Sequence, residues 1–202
     1  MERKSLIFGI ISGFFLLLVA IGFDLRKSAD GNLHIIFCDV GQGDAILIKT
    51  PSGADILNDG GPNDKVLDCL SRNLPFWDRT LDMVIVSHPQ ADHISGIISV
   101  LKRYKIDNLL VGQGKNIGPE YEEFKKLVLS KNIPVNNPYL GEKIDFGDGV
   151  SALVLWPEKS WMVNHLSKQE TNKNVLGAAT FNGDLNESQL LFFSNIRILR
   201  LY

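Results

Sequence analysis

The chain of 202 residues predicts a layered α/β domain in which helices cover a mixed sheet. Three observations carry that expectation. Short apolar runs separated by turn residues begin at Asn32, strand-like and helix-like segments alternate from Asn63 onward, and 45% hydrophobic with 22% charged residues is the balance of a globular domain. A formal net charge of −2 gives no overall electrostatic footprint for nucleic acid, although it leaves room for a local basic strip.

The amino-terminal segment stands apart. Leu6–Phe23 holds eighteen residues without a charge, fourteen of them apolar. As a helix it would be roughly 27 Å long, close to the hydrocarbon thickness of a bilayer. Arg3 and Lys4 precede it, which favours a cytoplasmic start and an outer location for the rest; Arg26 and Lys27 on the far side weaken that asymmetry. Val19-Ala20-Ile21-Gly22-Phe23 offers no small-residue cleavage site, so residues 1–27 are expected to be an uncleaved single-pass anchor and residues 32–202 the domain.

The domain opens with a meander of three strands. His34–Asp39 is an apolar run, Val40-Gly41-Gln42-Gly43-Asp44 a glycine-rich turn, and Ala45–Lys49 a second run; Thr50-Pro51-Ser52-Gly53 then turns the chain into Ala54–Leu57. Asn63 can cap a short helix with Val66, Leu67 and Leu70 on one face, and Leu81–Ser87 reads as a buried strand. From Asp92 the spacing of Ile94, Ile97, Ile98, Leu101 and Tyr104 is that of an amphipathic helix. A strand at Asn108–Val111, a helix at Pro119–Ser130 with proline in its first turn, and a strand from Ile133 follow. Lys143–Phe146 and Ala152–Trp156 flank Gly147-Asp148-Gly149 as a hairpin, Pro157–Lys173 reads as a surface loop, and Val175–Phe181 and Gln189–Phe193 flank a turn at Asn182-Gly183-Asp184. Cys38 and Cys69 each lie in an apolar segment, the setting of a buried free thiol; their pairing would need an oxidising compartment.

Two of the four histidines fall within six positions, in Ser87-His88-Pro89-Gln90-Ala91-Asp92-His93. They sit where a strand ends and a helix begins, which is where a sheet delivers side chains to a cleft. His88, Asp92 and His93 are all suitable ligands for a divalent metal such as zinc. Each taken alone reads as a loop histidine or a helix cap; together, three such residues in six positions point to metal. Asn58-Asp59-Gly60-Gly61, at the end of another strand, adds a carboxylate followed by two glycines that permit close backbone approach, although the same residues make an ordinary tight turn. Asp39-Val40-Gly41-Gln42-Gly43-Asp44 is either a turn with exposed amides for an anion or a plain hairpin connection.

FCDVGQGDAILIKTPSGADILNDGG followed by IVSHPQADHISGI resembles the metallo-β-lactamase-like domain of the ComEC/Rec2 family of DNA-uptake proteins. The match runs from about His34 to Tyr104. The resemblance implies an αββα sandwich whose cleft holds one or two divalent ions, zinc or manganese, and a metal-bound hydroxide that attacks a phosphodiester or another hydrolysable bond. It also implies a place at the outer face of a membrane, single-stranded DNA as substrate, and a separate channel protein as partner, since one possible span cannot form a channel. Carried over by position, His88, Asp92 and His93 occupy the family's His-x-His-x-Asp-His motif, and Asp59 the aspartate of its Asp-Gly-Gly motif. His88, Asp92, His93 and Asp59 are then expected to hold metal, with Asp92 also orienting the attacking water.

The chain departs from the family in two places. Gln90 stands where the second histidine of the motif is expected, and the distal Gly-Asp and His-His-Gly-Ser features have no clear counterpart: Asn195 falls near the expected aspartate, Asp184 lies in a turn, and no histidine follows His165. An αββα sandwich incomplete at its carboxyl end is therefore expected. Three functions follow: a membrane-anchored hydrolase of DNA, an inactive relative that binds DNA or a partner, or a metallo-hydrolase of a small ester or phosphate.

Overall fold

The computed structural model describes residues 2–112, 114, 116–165 and 191–196. One helix, α1, runs over Glu2–Ser28. β1 (His34–Phe37), β2 (Ile46–Lys49) and β3 (Asp55–Asn58) form the expected antiparallel meander, with Phe37 opposite Ile46 and Ile46 opposite Asn58. α2 (Lys65–Asn73), β4 (Thr80–Leu81), β5 (Met83–Val86), α3 (Ala91–Arg103), β6 (Lys105–Ile106), β7 (Leu109–Val111), α4 (Pro119–Ser130) and β8 (Val135–Asn136) follow. The main sheet has the order β1-β2-β3-β5-β7-β8, antiparallel through β3 and parallel beyond it. Each parallel step is crossed by one helix, because parallel neighbours cannot be joined by a tight turn.

The strand residues alternate between two apolar layers. Leu47, Leu57, Val84, Val86, Leu109 and Val111 face the helices, where Ile94, Ile97, Leu101 and Phe124 complete the larger core. Ile56, Ile85 and Leu110 face the other way, onto Ile144 and Phe146. Burial on both faces explains the near-continuous apolar character of β5 and β7. The second layer is a three-stranded antiparallel sheet of order β11-β10-β9, built from β9 (Lys143–Asp145), β10 (Val150–Trp156) and β11 (Leu191–Ile196). Asp148, in the β9–β10 turn, ties the layers by accepting hydrogen bonds from the Ser52 backbone N–H at 3.0 Å and its hydroxyl at 2.8 Å.

Several expectations are revised. Leu81–Ser87 is two strands, because β4 leaves the main sheet at Asp82 and pairs with β6. The last crossover strand starts at Val135, not Ile133. The N-cap of α2 is Asp64, while the Asn63 side chain accepts from the Lys65 N–H at 3.0 Å. Part of the expected loop at Pro157–Lys173 is a helix, α5 (Lys159–His165). The strand expected at Val175–Phe181, the turn at Asn182-Gly183-Asp184 and the segment 197–202 lie outside the described residues.

The cysteine reading is corrected. Cys38 and Cys69 are joined as a disulfide, since the end of β1 comes beside α2 with Cα atoms 5.6 Å apart, a proximity that neither apolar segment reveals by itself. A cross-link across 31 positions stabilises a fold by about 3–4 kcal/mol in the chain-entropy description.

The helical half of the anchor expectation is met by α1, whose described apolar side chains are exposed, from Leu18 at 51% to Phe8 at 75%. Among the described residues, however, no helix is long and apolar enough to cross a membrane.

Candidate metal centre

The site lies at the carboxyl ends of β3 and β5. Asp59 follows β3 with φ at 54°, a left-handed conformation that costs a non-glycine residue energy and marks a position fixed by its surroundings. Its backbone N–H donates to the Ile85 carbonyl at 2.8 Å, and its Oδ1 accepts from the Ser87 N–H at 2.8 Å. The glycines that follow bring α3 close: the Gly60 N–H donates to the His93 carbonyl, the Gly96 N–H to the Gly61 carbonyl, each at 2.9 Å. A Cβ on Gly96 would overlap the Gly60 carbonyl oxygen, so only glycine permits this seat.

β5 delivers Ser87 and His88, and the first turn of α3 delivers Asp92 and His93. His93 Nδ1 lies 3.1 Å from Asp59 Oδ2; because an ionised carboxylate can only accept, that nitrogen carries the proton. In the neutral ring the Nε2 lone pair is then left free, 3.9 Å from Asp92 Oδ2. This is the carboxylate–histidine arrangement that orients metal-binding imidazoles. The Asp92 side chain is 38% exposed and that of His93 10%, so the pair opens to solvent on one side.

His88 is placed differently. It is fully buried, its Nδ1 lies 3.0 Å from the Ser87 hydroxyl, and its Nε2 lies 3.1 Å from Gln90 Oε1. Both ring nitrogens are therefore engaged within the protein. The His88 and His93 rings lie 4.1 Å apart between centroids. Burial pulls His88 below the ordinary histidine range, and the neighbouring His93 adds to the effect. For His93 burial also opposes the charge, but the Asp59 hydrogen bond and the charges of Asp59, Asp92 and Asp44 outweigh it and hold the ring above the ordinary range.

The structure thus brings all four predicted residues together and gives them unequal parts. Asp92 and His93 Nε2 face one another, Asp59 orients His93, and His88 is occupied. A catalytic zinc takes three protein ligands. The Asp92–His93 pair fits two of these in chemistry and orientation, and among the described residues no group of three or more His, Cys, Asp or Glu is arranged to hold a metal ion. The side chains of His165 and Asn195 are outside those described, as is Asp184. Ser87, whose hydroxyl reaches both histidine rings, was not singled out by the sequence; a serine between a buried strand and a histidine is the only local signal it offers. The Asp39–Asp44 segment packs against the site, because Gly43 lies directly on the Asp92 backbone carbonyl.

No family model and no curated protein matches the sequence. Among solved structures the chain is similar to a metallo-β-lactamase of Cronobacter sakazakii with a HARLDQ motif, at 15% identity and a TM-score of 0.42, covering 63% of this chain and 50% of that one. It is also similar to the metallo-β-lactamase-fold protein YhfI of Bacillus subtilis, at 21% identity and 0.41, covering 61% and 51%. A diphosphatase of the PhnP family is similar at 15% identity and 0.39, covering 60% and 55%. The match spans about half the length of each of these proteins. The first two of these neighbours are metallo-β-lactamase-fold proteins.

Proposed function

We propose that the chain is a divalent-metal-dependent hydrolase, similar to the hydrolytic domain of ComEC/Rec2 proteins, acting on phosphodiester bonds of single-stranded DNA during DNA uptake. One observation carries the reading: Asp59 fixes His93 so that Nε2 turns towards Asp92 across 3.9 Å. Asp92 and His93 would hold zinc, or manganese, with His88 joining when Gln90 turns away. When bound, the ion supplies a Lewis acid that brings the pKa of water near 7. Asp92, the most exposed of the four, accepts a hydrogen bond from the attacking water and orients it, while Asp59 keeps the His93 proton on Nδ1. Ser87 is no nucleophile, being buried at 8% exposure with its hydroxyl engaged by His88.

An extracytoplasmic location is supported by the Cys38–Cys69 disulfide, since such bonds persist in oxidising compartments. Single-pass anchoring at the cell membrane is supported by the uncharged run from Leu6 to Phe23 on α1, preceded by Arg3 and Lys4. A separate channel protein is the proposed partner. Incubation of the full chain with zinc or manganese and labelled single-stranded DNA should release shorter products, and Asp92→Asn and His93→Ala should each lower the rate at least a hundredfold. No metal-dependent cleavage with either ion would overturn the reading; cleavage of a small phosphodiester alone would move it to the small-substrate alternative.

The engagement of His88 by Gln90 favours a second reading, a DNA-binding module without catalysis. It requires that DNA binding survive replacement of both His88 and His93 by alanine.

A further inference from the structure

The disulfide does more than brace the chain, because of what lies between it and the site. Cys38 follows β1 directly and is half-buried, and Cys69 sits on α2 at 6% exposure. Immediately after Cys38 the Asp39–Asp44 loop begins, closed at its base by the Cys38 N–H donating to the Ala45 carbonyl at 2.9 Å and the Val40 N–H donating to the Cys38 carbonyl at 3.0 Å. Val40, 2% exposed, is wedged against Gly61, in the segment that carries Asp59. Gly43 rests on the Asp92 carbonyl. The loop therefore touches the segment after β3 and the first turn of α3, two of the parts that build the site. Beside the disulfide, a long hydrogen bond among the described residues ties the loop to the α2 side, from the Asn63 side-chain amide to the Val40 carbonyl at 3.3 Å.

We propose that the Cys38–Cys69 disulfide is a redox-governed clamp that seats the Asp39–Asp44 loop on Asp92 and Gly61, so that the site assembles fully only in an oxidising compartment. A dithiol opens it by ordinary exchange. One thiolate of the reductant attacks a protein sulfur to give a mixed disulfide, the second displaces the protein thiolate, and the products are two cysteine thiols and the oxidised dithiol. In a reducing cytoplasm the chain then carries a loosened loop. The inference rests on the reading of Asp92 and His93 as the centre of the site.

The test is amide hydrogen exchange on the full chain, oxidised and after reduction with dithiothreitol and alkylation. Exchange is expected to speed at least tenfold at Val40, Gly60 and Gly96, and to stay within twofold at Val84 and Leu109, whose amides pair with the Asn108 and Pro134 carbonyls in the sheet. Unchanged exchange at Val40, Gly60 and Gly96 would overturn the clamp, and so would an equal rise at Val84 and Leu109, which would make the disulfide a general brace. A Cys38→Ser, Cys69→Ser chain should reproduce the reduced pattern without reductant; if it does not fold, the reduced natural chain decides the matter. Zinc stoichiometry of the oxidised chain separates the two readings. Exchange confined to the site with no zinc bound keeps the clamp and removes the metal reading, and zinc bound with exchange unchanged does the reverse.

Discussion

Helices α1 and α3 are both rich in isoleucine and leucine, yet their side chains meet opposite surroundings. On α1, Ile7, Ile10, Ile11, Phe14, Phe15 and Leu17 are all more than half exposed. On α3, Ile94, Ile97, Val100 and Leu101 are fully buried against the main sheet. The difference lies in the polar residues that interrupt the apolar ones on α3. α3 alternates its apolar stripe with Ser95, Ser99, Lys102 and Arg103, so one face has a defined partner. Over Leu6–Phe23 the sequence of α1 carries no charged residue, so no polar stripe sets one face apart from another. The stripe on α3 also has a functional consequence, because it holds the first turn that carries Asp92 and His93.

The largest effect that sharpens this comparison comes from glycines. Gly96→Ala forces α3 off the Gly60 carbonyl and should cost about 4 kcal/mol in urea unfolding, whereas Gly13→Ala, with nothing within 4 Å of the added carbon, should change domain stability by less than about 0.5 kcal/mol. Equal costs would break the distinction. Next in size, Ile97→Ala should lose about 3 kcal/mol by leaving a cavity in the larger core, and Phe14→Ser on α1 about 0.5 kcal/mol or less, by the same measurement.

A smaller effect concerns a carboxylate buried in the same sheet. Asp55 is 3% exposed, its Oδ1 has no hydrogen-bond partner, and Lys49 Nζ stands 3.7 Å away. Burial is the main cause that pushes this carboxyl up to about 6, with Lys49 opposing and Asp78 and Asp82 adding to the rise. The folded state therefore keeps a proton that the unfolded chain releases near 3.8. The resulting stabilisation is complete below the unfolded value and is lost as pH rises through about 6. Across pH 4 to 8 the fall should amount to about 2–3 kcal/mol. Asp55→Asn should remove that part of the slope, as read from unfolding curves at each pH.

Much of the fold was legible because its signals are local. The periodicity of Ile94, Ile97, Ile98 and Leu101, the proline opening α4 and the turns between β1, β2 and β3 each determine an element within a few residues. The breaks in expectation came from distant partners. Nothing near Asp82 tells that Leu81 pairs with Ile106, and nothing near Cys38 tells that α2 lies within bonding distance. The site divides along the same line. The clustering of His88, Asp92 and His93 is visible in the sequence, whereas the orientation of His93 by Asp59 depends on contact between residues 34 positions apart. Gln90 shows the limit best: as a sequence feature it is a missing histidine, and in the fold it is the partner that engages His88.

The most direct measurement is calorimetric titration of manganese into the full chain and into His93→Ala, Asp92→Ala and Asp59→Asn variants. One ion per chain is expected, with affinity reduced at least tenfold by loss of His93 or Asp92 and about tenfold by Asp59→Asn, which leaves both ligands in place but releases the His93 ring. Absence of a stoichiometric ion, or an ion whose affinity is indifferent to all three substitutions, would contradict the assignment of Asp92 and His93 as the metal-binding pair.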